Sequence, residues 1–229
     1  MRVRRLYETT TTRLMSCPTI RVDTLVGREV ISKGQRPWGG CLDGMNGDGL
    51  VASVTFGGST AQGIGFSIIL IVRYILETCR KVCEAVAALC RIPVALSQNV
   101  TVLDKTGAYA TVYLSPDRAP SVSRTPVCAN HQDSSVSTGL TRSAASSMAR
   151  QQMALRTLQS SDATLVKVLE AFLTAPIYSR EASSPTVHSA VYRPAALTVD
   201  YVWPGHVMTQ QIGSFKPGQY LQDYGMLTM

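Results

Sequence analysis

The chain has 229 residues, 45% apolar and only 16% charged, which is enough material for a sizeable core and excludes a largely disordered chain. Its net charge of +7 is concentrated in residues 1–36, where eight cations face three acids, while the remainder is close to neutral. The longest apolar run free of charge, Gly63 to Val72, is ten residues, half of the roughly 20 that a membrane-spanning helix needs.

Residues 1–49 read as an extended basic arm. Arg2, Arg4, Arg5 and Arg13 are placed to meet nucleic-acid phosphates or an acidic partner face through sequence-independent attraction. A β-like piece covers Thr19 to Val30, and no apolar leader segment follows Met1, so no signal peptide is expected. Asn46-Gly-Asp-Gly49 has the centre of a calcium loop. Gly44 and Thr55, however, stand where the first Asp and the bidentate Glu belong, so a turn is expected.

Leu50 to Phe56 is a β-like run that enters a glycine-rich turn carrying Gly57, Gly58, Gly63 and Gly65 and leaves as a long apolar helix. Backbone N–H groups in such a turn can approach a phosphate at a helix N-terminus. Over about a dozen residues the stretch Val54 to Gly65 resembles the Thr-Gly-x-x-x-Gly-Ile-Gly turn of short-chain dehydrogenases, a resemblance that implies a nicotinamide cofactor on those glycines. The tyrosine followed four places later by lysine, which that family also carries, is missing: Tyr74, Tyr109, Tyr113, Tyr178 and Tyr192 all lack it. A Walker loop is excluded because Gly63 is followed by Ile64 rather than lysine.

From Ile64 to Arg91, apolar residues Ile68, Val72, Ile75, Cys79, Val82, Val86 and Leu89 recur every three or four positions and predict one helix ended by Pro93. Cys79, Cys83 and Cys90 share one side of it and, with Cys128 and His131, offer the ligand types of a zinc site. The same face carries Ile75 and Val82, where a thiol is a small core hydrophobe, so packing is the reading preferred and no metal is assigned. Asn99 to Leu103 and Ala108 to Leu114, joined by Asp104-Lys-Thr-Gly107, predict an antiparallel hairpin. That connection is similar to the phosphorylation loop of P-type ATPases, but no paired aspartates follow to hold magnesium.

Residues 115–140 are rich in Ser and Pro and predict a long loop; Thr141 to Thr174 predicts a second helical region broken at Ser160-Ser161, with Ser161 as the new cap. Strands follow over 186–192 and 196–203, then an extended tail over 204–229. His131, His188 and His206 lack acids at suggestive spacing, so no catalytic triad is assigned.

These elements predict an α+β fold: a mixed or antiparallel sheet containing the 50–56 strand and the 98–114 hairpin, covered by helical regions 64–91 and 142–174, in a core domain of residues 50–203. Low charge, extended termini and the lack of a complete catalytic constellation point to a non-enzymatic structural subunit. Capsid or virion components and accessory subunits fit, with protein subunits as partners, no cofactor, and reduced thiols in an intracellular setting. The alternatives are a nucleotide- or nicotinamide-binding protein using the 57–65 turn and a nucleic-acid-binding subunit using the N-terminal arm.

Overall fold

In the computed structural model, residues 19–23, 28–35, 39–132, 142–180 and 185–216 are described. Seven strands form one antiparallel sheet in chain order: β1 (Thr19–Asp23), β2 (Glu29–Gln35), β3 (Gly40–Asn46), β4 (Val51–Phe56), β5 (Gln98–Leu103), β6 (Tyr109–Ser115) and β7 (Arg118–Ser123). Helices α1 (Ile68–Thr78) and α2 (Val82–Arg91) are inserted between β4 and β5. Helices α3 (Arg142–Gln159) and α4 (Leu165–Phe172) precede a second antiparallel sheet of β8 (Ser189–Arg193), β9 (Thr198–Trp203) and β10 (His206–Gln211), with β9 in the middle.

The period-two alternation of the strands explains the layering, because successive side chains point to opposite faces. Ala52, Val100, Val102, Ala110, Val112 and Leu114 are buried on one face of the large sheet against Val72, Ile75, Leu76 and Leu89 of α1 and α2. On the other face Ile31, Met45 and Val51 form a second core with Val199, Tyr201, Trp203 and Met208 of the small sheet. Helices, large sheet and small sheet thus form three layers around two cores, and the α+β class predicted from the sequence is the class observed.

The single helix predicted over 64–91 is two. Cys79 and Lys81 are extended, with ψ of 150° and 158°, and their neighbours are held by tertiary partners that periodicity cannot register. Asn46 Nδ2 donates to the carbonyls of Leu76 and Cys79 at 2.9 and 2.8 Å, satisfying the end of α1. Asp104 Oδ2 accepts from the N–H of Val82 at 3.0 Å, starting α2. The 142–174 region does break near Ser160, but the cap of α4 is Thr164, whose hydroxyl accepts from the N–H of Lys167, rather than Ser161.

The hairpin predicted over 98–114 is β5–β6, paired from Gln98↔Leu114 to Leu103↔Tyr109. Within 115–140, expected as loop, residues 118–123 form β7; Pro120 fits there because β7 is an edge strand, where one backbone position needs no ladder partner. Strands β1, β2 and β3, from the expected extended arm, pair into the same sheet as β4. No helix of the described residues is long and apolar enough to cross a membrane.

Candidate functional site

On the face of the large sheet that meets the small one, strand register arranges the side chains in transverse rows. The first row is apolar: Ile31, Met45, Val51, Leu103 and Tyr109 lie opposite one another from β2 to β6. Two residues along the strands the row is polar throughout, running Lys33, Asp43, Ser53, Thr101, Thr111 and Ser123 across six strands. The next row is Thr55, Asn99, Tyr113 and Ser121. An apolar row locks the sheets together, and two polar rows floor the space at the end where β4 finishes.

The second polar row is roofed by residues 128–132. Asn99 Nδ2 lies within hydrogen-bond distance of four oxygens: Thr55 Oγ1 (3.1 Å) and the carbonyls of Phe56 (3.2 Å), Ala129 (3.0 Å) and His131 (3.1 Å). Its Oδ1 accepts from Gln132 Nε2 at 2.8 Å, and the same Gln132 amide donates to the carbonyls of Gln98 and Leu114. Arg118 donates to Gln132 Oε1. A buried carboxamide with every group engaged stiffens its surroundings, so this roof is fixed to the sheet.

Cys128 and Asn130 stand on that roof. The Cys128 thiol is half-buried, 3.3 Å from Thr55 Oγ1, and Asn130 is exposed. Gly58, at φ +78°, admits this arrangement: a Cβ there would come within 3.0 Å of His131 Cα and 3.3 Å of Asn130 O. His131 anchors the roof to α3, its Nδ1 lying 2.8 Å from Ser147 Oγ and its Nε2 3.0 Å from Gln151 Oε1. If Gln151 Oε1 accepts from Nε2–H, Nδ1 is left to accept the Ser147 hydroxyl. Ser147 is fully buried, so the Ser–His pair ties elements together instead of meeting a substrate.

The first polar row continues under the small sheet. Tyr192 OH donates to Asp43 Oδ2 at 2.7 Å, and Lys33 Nζ sits 4.0 Å over the ring of Tyr201. Burial raises the Asp43 carboxyl, with the Tyr192 bond and the Lys33 charge opposing. His188, edge-on to Tyr201 with ring centroids 5.6 Å apart, is lowered to about 4 by burial and by Lys33.

The sequence-derived candidates fall elsewhere or fall apart. Gly57 and Gly63 donate their N–H groups to the carbonyls of Ser97 and Ala95, and a Cβ at Gly65 would strike the backbone of Val94. These three glycines pack one chain segment on another, and two of the N–H groups expected to hold phosphate are already engaged. Arg2, Arg4, Arg5 and Arg13 lie outside the described residues. Cys79 is buried while Cys83 and Cys90 are exposed, so the three do not share one environment. No cluster of three metal-ligating side chains occurs among the described residues. Burial raises the thiols of Cys41, to about 11, and of Cys79. No spacing in the sequence brings Asn99, Cys128 and Asn130 together, although polar residues at every second position of three neighbouring strands are a signal from which the floor could be found.

A family model for acyl-coenzyme A:6-aminopenicillanic acid acyl-transferase matches residues 20–206. The chain belongs to this family. No curated protein matches by sequence. Among solved structures, a variant of conjugated bile acid hydrolase from Clostridium perfringens superposes with a TM-score of 0.59 at 11% identity, covering 88% of this chain and 85% of that one. Penicillin V acylase from Agrobacterium tumefaciens gives 0.56 at 15% identity, over 81% and 70%. The Caenorhabditis elegans ortholog of N-acylethanolamine-hydrolyzing acid amidase gives 0.53 at 18% identity, over 77% and 80%. At these identities the likeness establishes the fold.

Membership of an acyl-transferase family overturns the expectation of a non-enzymatic structural subunit, and with it capsid or virion component. The low charge that suggested an assembly part has a physical source inside the chain. Two stacked cores, one on each face of the large sheet, require apolar residues on both sides of its first four strands.

Proposed function

We propose that the chain catalyses acyl transfer from an amide or thioester carbonyl bound over the Thr55–Asn99 row, against the 128–130 roof. The observation that carries this reading is the pairing of Cys128 with Asn130. Cys128 is the thiol, among those described, that is both partly accessible and held in a fixed polar network, and the exposed Asn130 carboxamide is its near neighbour in sequence. The Cys128 sulfur adds to the carbonyl carbon, and Asn130 donates to the oxygen as it becomes anionic. The bond to the leaving amine or thiol then breaks, the thiol proton goes to that group, and a thioester remains on the enzyme. Water or a second amine cleaves the thioester and restores the thiol.

Incubation with a phenylacetyl thioester, followed by intact-mass and peptide analysis, tests this. One acyl group on Cys128 is expected, lost in Cys128→Ala and kept in Cys41→Ala. Asn130→Ala is expected to slow acylation by about 10²-fold, the usual cost of one oxyanion donor. Acylation mapped to another residue, or full turnover by Cys128→Ala, overturns the assignment.

A further inference from the structure

At the opposite end of the sandwich from the 128–132 roof, beside the β3–β4 turn, a cleft of about 540 Å³ opens between the two sheets and the α1–α2 junction. Its walls include Arg28, Asp48 and Arg80 on one side and Leu197 and Ile212 on the other. Such a volume is in the range of small-molecule sites and far larger than a bare inorganic anion fills.

The polar wall is unevenly engaged. Arg28 Nε holds Asp48 Oδ2 at 2.8 Å, and its Nη1 donates to the carbonyls of Glu77 and Cys79 at 2.8 and 3.2 Å. Arg80 reaches the same Asp48 oxygen only at 4.0 Å, with 68% of its side chain exposed. One carboxylate is therefore shared by two guanidinium groups, while Glu29, also at the cleft, has a partner of its own. That leaves an unneutralised positive charge at the mouth. An anion arriving there would meet a planar donor fork with little prior commitment.

The apolar wall carries an independent sign. Leu197 has φ +55°, the one non-glycine positive φ among the described residues, in the short loop joining β8 to β9. Hairpin loops usually give that conformation to glycine or asparagine. A leucine kept there supplies the cleft with an aliphatic surface that glycine would not, and its carbonyl accepts the N–H of Ile212, so the two apolar residues are fixed relative to each other. Gly213, at φ +84°, closes the same wall.

We infer that this cleft binds a small carboxylate with an aliphatic chain, its head on Arg80 and its chain on Leu197 and Ile212. The inference is independent of the acyl-transfer reading, because the cleft shares no residue with the Thr55–Asn99–Cys128 site.

Titration of the whole chain with acetate, hexanoate and octanoate, followed by calorimetry, tests it, with octylammonium as the control for tail-only binding. Octanoate is expected to bind about tenfold or more tightly than acetate, and octylammonium to bind far more weakly than octanoate. Arg80→Glu, an exposed substitution the fold tolerates, should weaken octanoate by about tenfold. Leu197→Asn, which suits the positive φ, should erase most of the chain-length dependence while preserving the thermal midpoint. Cys128→Ala should bind octanoate as the parent does. Failure of the parent to bind octanoate, affinity indifferent to Arg80→Glu, or octylammonium binding as well as octanoate overturns the inference. Octanoate binding lost in Cys128→Ala would place the ligand at the other site and overturn it equally.

Discussion

Asn99 and Ser97, two residues apart at the start of β5, show how differently buried polar atoms can be treated. Asn99 satisfies its carboxamide by tying the 128–132 roof to β4 and β5. Ser97 is fully buried and its Oγ has no hydrogen-bond partner, with Gly57 packed so close that a Cβ there would lie 2.2 Å from that oxygen. An unsatisfied buried hydroxyl costs about 1–3 kcal/mol, whereas alanine has the same backbone demands and nothing to desolvate. Ser97→Ala is therefore expected to raise unfolding stability by about 1 kcal/mol, read from the urea midpoint at unchanged slope. A loss of stability would mean that the hydroxyl has a partner in solution.

At the scale of elements, the break between α1 and α2 depends on Asn46. Its amide donates to two carbonyls at the end of α1, and its Oδ1 accepts from the N–H of Leu50 at 3.0 Å and of Asp48 at 3.1 Å. Removing that buried carboxamide leaves several backbone groups without partners, so Asn46→Ala is expected to cost about 3 kcal/mol in chemical denaturation. Asn46→Asp should cost at least as much, because a carboxylate cannot donate to the Leu76 and Cys79 carbonyls. The same residue marks the limit of what the sequence makes legible. Asn46-Gly-Asp-Gly49 reads correctly as a turn, and Ile68 through Leu89 correctly as one helical face, because turn chemistry and helical period are local. The helix break is not local: it is imposed by Asn46 and Asp104, 30 residues from Leu76 and 22 from Val82 respectively. The candidate site is hidden for the same reason. Ser53, Thr55, Asn99, Thr101, Thr111 and Tyr113 become one floor only once the register of three strands is known, and Cys128 joins them across 73 residues through Thr55.

At the scale of the whole molecule, the contact between the two sheets couples stability to pH. Facing each other across it are Lys33 and Asp43 from the large sheet, Tyr192 and Tyr201 from the small one, and His188 just before β8. His188 takes up its proton near 4 in the folded state, against 6.5 when freely solvated, because burial and the Lys33 charge disfavour the imidazolium. Between those values the unfolded chain holds a proton that the folded chain refuses. This term is therefore absent above about pH 6.5 and grows as a loss of stability while the pH falls toward 4, amounting to about 3 kcal/mol. Asp43 works in the opposite direction. Burial raises its carboxyl above the ordinary 3.8, so the folded state gains the proton first and acidification relieves a cost carried at neutral pH. The two terms partly cancel in the parent protein and can be separated by substitution. His188→Gln should flatten the decline in stability between pH 6.5 and 4, while Asp43→Asn should steepen it by removing the compensating group. Urea unfolding of the three proteins at half-unit pH steps measures both slopes. A parental slope in His188→Gln would assign the acid sensitivity to groups outside the contact between the sheets.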